Sequence, residues 1–269
     1  MKMRLNGPAQ RSIARNKDDF SGTPGRAVRI LVLLCLLVLL PHAVPAEEGR
    51  GYYEVNSSYK TGDFGTPTRT NLLSISAGLG YVSPGFDVSA TMPLLFLSSS
   101  GDDQAGLVNT NIGLGDLVLR AGRVFLAEND AGFSLDGALA VKLPTADETD
   151  GLGTGEPDYG AFFGAHKRFD KIKLSLLTGY IKVGDPPSID YNDVYLYGTG
   201  ISRMFGSTLA YAAYEGRRSV VPGVRNPQEI SAGFLHALSA DYAIKGSAFR
   251  GLNKAGPDFG LSLGFVSWF

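Results

Sequence analysis

Apolar and polar residues alternate one by one along most of this chain. In its last stretch Phe259, Leu261, Leu263, Phe265 and Phe269 fall on one face of an extended strand, with Gly260, Ser262, Gly264 and Val266 on the other. A period of two marks a strand whose faces meet different surroundings. Leu73, Ile75, Ala77, Leu79 and Tyr81 likewise oppose Ser74, Ser76, Gly78 and Gly80. Phe86, Val88, Ala90, Met92, Leu94 and Phe96 oppose Asp87, Ser89, Thr91 and Pro93. The pattern predicts twelve strands, at about 51–61, 70–82, 85–97, 110–126, 131–144, 156–169, 172–184, 192–204, 207–218, 228–239, 241–252 and 258–269. The phase is blurred by glycine and mixed residues in the fourth and in the seventh to eleventh. In the fourth it changes between Leu114 and Leu117, so a bulge is expected near Gly113–Gly115.

The connections alternate in length. Short ones fall at 83–84, 127–130, 170–171, 205–206 and 239–240. Longer polar ones fall at 62–69, 98–109, 145–155, 185–191, 219–227 and 253–256. Short turns on one side and long loops on the other are the topology of an outer-membrane barrel. A soluble sandwich would alternate in the same way within each strand. Strand number, loop alternation and the aromatic final strand favour the barrel, because a free apolar edge ending in Phe269 would promote aggregation in water. The fold class expected is all-β: a transmembrane antiparallel β-barrel of twelve strands, with both termini periplasmic.

The front of the chain departs from this pattern. Lys2, Arg4, Arg11, Arg15, Lys17, Arg26 and Arg29 precede an apolar run from Ile30 to Leu40, 11 residues long. That is short of the ~20 residues a spanning helix needs and suits the core of a signal peptide. Val44-Pro45-Ala46 offers small residues for cleavage, and no stop-transfer pattern follows. The organisation expected is therefore a signal peptide at 1–46 and a barrel at 47–269, exported to the outer membrane of a Gram-negative cell. The only cysteine, Cys35, lies in the leader, which leaves no disulfide or thiol chemistry in the barrel. Residues 47–269 carry 18 basic and 24 acidic side chains, a net charge of −6. A mildly acidic chain with scattered charges argues against nucleic-acid binding.

Three short stretches carry a resemblance. They are Gly113-Leu114-Gly115-Asp116 running on to Arg120 and Arg123, then Val141-Lys142-Leu143-Pro144-Thr145, then Leu152-Gly153-Thr154-Gly155 with Asp158-Tyr159. In this order they resemble the outer-membrane transporter family named after the meta-pathway of phenol degradation. The resemblance is strongest over about 112–184. It implies a β-barrel channel passing small, often aromatic or apolar, compounds.

Asp116, Arg120, Asp136, Lys142, Asp158, His166 and Arg168 are the polar residues expected to line the lumen. Charges on a pore wall select solutes. They also brace a narrow barrel across neighbouring strands, and the two roles coexist. Phe265, Trp268 and Phe269 are the signal expected to be read by the barrel-assembly machinery. Tyr52, Tyr53, Tyr81, Tyr159, Tyr180, Tyr195, Tyr197, Trp268 and Phe269 are candidates for interfacial girdles, Tyr195 and Tyr197 without an assigned phase. The acidic stretch Asp147, Glu148 and Asp150 lacks calcium-loop spacing and reads as a solvated loop. Gly151–Gly155 is followed by no Gly-Lys-Ser/Thr and is not a phosphate cradle.

The function expected is passive diffusion of small solutes through a narrow, charge-lined lumen, without cofactor, metal or catalysis. Lipids, the assembly machinery and the solute are the partners. The alternatives are a plugged structural or adhesive barrel and a barrel-embedded hydrolase using His166. For the hydrolase Asp158 is the conceivable partner; His236 falls on the lipid side and should not converge with His166.

Overall fold

The computed structural model describes residues 49–100, 108–128, 132–187 and 189–269. The signal peptide expected at 1–46 and most of the loop 98–109 lie outside the described residues. Regular structure among the described residues consists of strands. They are β1 (Arg50–Gly62), β2 (Arg69–Val82), β3 (Phe86–Ser100), β4 (Val108–Leu114), β5 (Leu117–Leu126), β6 (Phe133–Leu143), β7 (Asp158–Phe169), β8 (Ile172–Lys182), β9 (Val194–Phe205), β10 (Thr208–Arg217), β11 (Gln228–Ala237), β12 (Tyr242–Gly251) and β13 (Phe259–Trp268).

Every pairing is antiparallel, and β1 pairs with both β2 and β13, which closes the sheet into a barrel. β4 and β5 both pair with β3 and together form one broken stave. Thirteen segments thus make the twelve staves expected. The break lies at Gly115 and Asp116, where the sequence shows its phase change. Pro93 of β3, which has no N–H to give a ladder, lies opposite; its carbonyl accepts from the Gly115 N–H at 2.8 Å. β6 follows β5 along its length but not β4. The free side of β4 is met by the connection 144–157, where the Asp150 carbonyl accepts from Asn111 Nδ2 at 2.6 Å.

The two phases of the strands meet different surroundings. Outward residues are large, apolar and bare: Leu263 is 63 % exposed, Leu176 62 % and Leu79 59 %. In water such a belt would be a continuous aggregation surface; in hydrocarbon it is the expected exterior. Rings gather at both edges of the belt. Tyr53 stacks on Phe269 and Tyr242 on Phe265 at the short-turn edge. Tyr180 pairs with Tyr195, and Tyr197 with Tyr214, at the long-loop edge. Tyr195 and Tyr197, unphased from sequence, therefore face outward. Two girdle assignments are corrected. Tyr52 pairs with Gly80 and with Trp268 on the inner phase, so neither Tyr52 nor Trp268 belongs to the outer girdle. The parity is set by Glu54, which stands two residues from Tyr52 and reaches Lys245 inside the barrel.

The ends of the described chain meet at the short-turn side, where the Phe269 N–H donates to Gly51 O at 2.9 Å. Buried apolar residues gather at both ends of the barrel: Ala243 and Val266 lie near the short turns, and a second group lies at the other mouth. Leu152, Val183, Val194, Leu196 and Ala255 are buried there, under the long connections.

Candidate functional site

The inner face of the barrel is lined by charges that are mostly satisfied by partners on neighbouring strands. Lys142, at the end of β6, sits 3.3 Å from Asp116 and 3.0 Å from Asp158. Its Nζ also donates to Thr154 Oγ1 at 3.0 Å. Asp116 accepts from the N–H groups of Thr145 and Ala146 at 3.1 and 3.0 Å. Asp158 accepts from the Gly184 N–H at 3.0 Å. One lysine thus fastens the broken stave, the start of β7 and the connection 144–157. The three side chains retain 20 %, 9 % and 19 % of their area in contact with solvent. Here three of the seven residues expected to line the lumen converge.

Asp136 and His166 form a second cluster. His166 Nε2 lies 2.5 Å from Asp136 Oδ2, and Nδ1 lies 2.9 Å from Ser175 Oγ. With Asp136 ionised, Nε2–H donates to the carboxylate and Nδ1 accepts from the serine hydroxyl. The expected partner Asp158 is instead held by Lys142, because it stands at the loop end of β7 and His166 lies near the turn end. The carboxylate–imidazole–hydroxyl order is that of a nucleophilic relay, but the ring is reversed relative to serine hydrolases. Ser175 also lies inside a strand paired on both sides, so neighbouring N–H groups are committed to the ladders rather than aimed at an oxyanion. The geometry braces three adjacent strands. His236 pairs with Thr208 on the outer phase, its Nδ1 2.8 Å from Thr208 Oγ1, and does not approach His166.

The last two expected residues have partners outside the expected set. Arg120 is ion-paired with Asp87 of β3. Arg168 is 3.1 Å from Glu128, in the turn connection before β6. A further pair, Lys245–Glu54 at 2.7 Å, links β12 to β1 across β13. These two residues stand 191 positions apart, so only closure of the barrel unites them. The signal was present: each lies on the polar phase of a strand next to the seam.

Apolar residues share the inner face with these charges. Phe162, Leu177, Leu196, Leu209, Leu235 and Phe249 occupy inward positions by register. Several inward rings lie flat against glycines of the neighbouring strand. A Cβ at Gly179 would meet the Phe162 ring at 2.6 Å, and one at Gly233 would meet Tyr211 Oη at 2.6 Å. Glycine on the inner wall therefore seats aromatic rings instead of letting them cross the lumen. A cavity of about 400 Å3 opens on this face beside Glu54, Asn56, Ser76, Tyr211, Lys245 and Ser262.

Outside the lumen, the acidic connection is a local turn. Asp147 accepts from Thr149 Oγ1 at 2.6 Å and from its N–H at 2.9 Å. The Thr149 hydroxyl first, then its N–H, hold the Asp147 carboxyl below the usual aspartate range. Among the described residues no cluster of three or more His, Cys, Asp or Glu is arranged to hold a metal ion.

The chain matches no protein-family model and no curated protein sequence. Its fold is similar to that of the COG4313 outer-membrane channel from Pseudomonas putida F1. The TM-score is 0.67 at 18% identity, over 86% of this chain and 100% of the other. It is also similar to the KdgM porin, with a TM-score of 0.50 at 10% identity over 80% and 99%. At these identities the likeness is one of fold. That fold, an outer-membrane barrel, is the one implied by the resemblance to the meta-pathway transporters.

Proposed function

We propose that the protein is an outer-membrane channel through which small amphiphilic or apolar solutes diffuse down their gradient, as the meta-pathway resemblance implies. The observation that carries this reading is the inner wall, where braced charge pairs alternate with Phe162, Leu177 and Leu235 and rings lie flat on glycine. A barrel built only as a wall would fill its interior with side chains, as eight-stranded barrels do; twelve staves enclose more space. Paired charges favour solutes that exchange hydrogen bonds with both signs, and the apolar patches between them suit aromatic or aliphatic bodies. The relay of Asp136, His166 and Ser175 is a brace in this reading, and the protein works without catalysis or cofactor. The expected route is export through a cleaved leader, with the termini on the periplasmic side. Phe265, Trp268 and Phe269 on the closing strand would present the assembly signal.

The test is conductance of the refolded barrel in a planar lipid bilayer. Discrete steps are expected, with ion selectivity shifted when Glu54→Gln and Lys245→Met are combined. Uptake of a small aromatic solute into vesicles is the companion measurement. Folded barrel that passes neither ions nor solute would refute the channel and favour a plugged wall.

A further inference from the structure

The outer surface is not uniformly convex. Across β8 to β13 one row of outward positions reads Leu174, Ile201, Ala212, Ala232, Ala248 and Leu261, each paired with the next. Large residues stand at its ends and three alanines in a row form its floor. Toward the short-turn edge, one row on, the Phe234 ring lies across Gly246, where a Cβ would come within 2.8 Å of it. Toward the long-loop edge the neighbouring row presents Tyr214, Ile230 and Arg250. The depression encloses about 670 Å3 and is almost wholly apolar.

Arg250 is the exception in that wall. It is exposed, points outward at the depth of the Tyr214 girdle ring, and has no ion pair or hydrogen bond among the described residues. On the lumen side Arg120, Lys142 and Lys245 each have a carboxylate, and Lys60 lies over the Phe249 ring. An outward guanidinium at a membrane boundary is tolerated where it meets an anionic headgroup, and its planar fork matches phosphate. The groove below it spans the four strand gaps between Ile201 and Leu261, roughly 19 Å at ~4.8 Å per gap. That is several acyl chains wide. In hydrocarbon there is no hydrophobic gain from covering apolar surface, so what fills a concave site is packing, and flexible chains pack where a flat protein face cannot.

We infer that this groove binds a phosphorylated, multiply acylated lipid of the outer leaflet, with its phosphate on Arg250 and its chains over Ala212, Ala232 and Ala248. The inference rests on the outer-membrane placement proposed above but not on conduction. A barrel that conducts normally without holding lipid would sink this inference alone.

The experiment is native mass spectrometry of the folded barrel in detergent, titrated with bis-phosphorylated hexa-acyl lipid A, with its dephosphorylated form and with phosphatidylglycerol. One retained lipid A per barrel is expected. Arg250→Gln should lower occupancy about tenfold, the scale of one lost charge-assisted contact. The same variant should leave the already weak binding of the dephosphorylated form unchanged. Ala232→Leu, which fills the floor from the lipid side, should lower binding of both forms. Occupancy insensitive to both variants overturns the site. Equal retention of phosphatidylglycerol overturns the multiply acylated ligand. A barrel dimer abolished by Ala232→Leu would mean that a second copy covers the groove, and would overturn the lipid.

Discussion

Replacing Lys142 with methionine removes the cation and keeps the stem that packs beside β5 and β7. Asp116 and Asp158 would then face each other across the vacated position, each largely shielded from solvent. Breaking a fully buried pair costs ~3–5 kcal/mol, whereas exposed pairs contribute at most ~1. The retained exposure of about one-fifth on Lys142 and Asp158 places this site between the two. Both carboxylates also keep backbone N–H donors, from Thr145, Ala146 and Gly184. The expected loss is therefore about 2–3 kcal/mol. Trp268 is the only tryptophan of the chain and lies at the seam, so its fluorescence reports global unfolding in urea from lipid vesicles. Adding Asp158→Asn to Lys142→Met removes the surplus charge and should recover about 1 kcal/mol or more. A loss below ~0.5 kcal/mol for the single variant, or no recovery in the double one, would mean that Lys142 is a solvated surface cation.

Other outcomes follow from the same geometry. Leu263→Arg places a charge on the lipid face in the middle of β13 and should cost about 2–4 kcal/mol in the same assay; a cost below ~0.5 would contradict the outward phase. Gly260→Leu should narrow or block conductance, because a Cβ there collides with the Phe249 ring and pushes it into the lumen; Phe249→Ala should restore the current. The depressed Asp147 carboxyl stabilises its turn above the usual aspartate range, and this contribution is lost as pH falls through the lower folded value. The Thr149 amide resonance should thus titrate below an ordinary aspartate midpoint; in Thr149→Val, which loses the hydroxyl but keeps the N–H donor, the amide at that position should titrate nearer to it without reaching it.

Strand phase was legible wherever the inner face is small or polar. In β2, β3, β6 and β7 serine, glycine and single charges alternate with large apolar residues, and the parity read from sequence is the parity of the fold. The broken stave was legible too, since Leu114 and Leu117, three positions apart, would face opposite ways in an unbroken strand. β8 to β12 resisted because Leu177, Leu196, Leu209, Leu235 and Phe249 face inward, so both faces are apolar and alternation fades. The lining residues were found on the right strands, but their partners were not. Asp158 was the natural partner for His166 on one strand; in three dimensions Lys142 claims it from β6, and Asp136 and Ser175 flank the ring. Arg120–Asp87 and Arg168–Glu128 depend on register, which a one-residue error erases.

The seam between β1 and β13 aligns ten residue pairs, from Tyr52 with Trp268 to Thr61 with Phe259. No other pairing joins positions so distant in the chain, and none forms until almost all of it exists. Until then two strand edges stand open, each with a row of backbone groups that hydrocarbon cannot satisfy. A half-built barrel is consequently not a less stable version of the whole but a species with no home in the bilayer. Synthesis, transit and insertion must therefore be separated in time, and loss of a single stave anywhere should remove the protein from the membrane rather than shrink it.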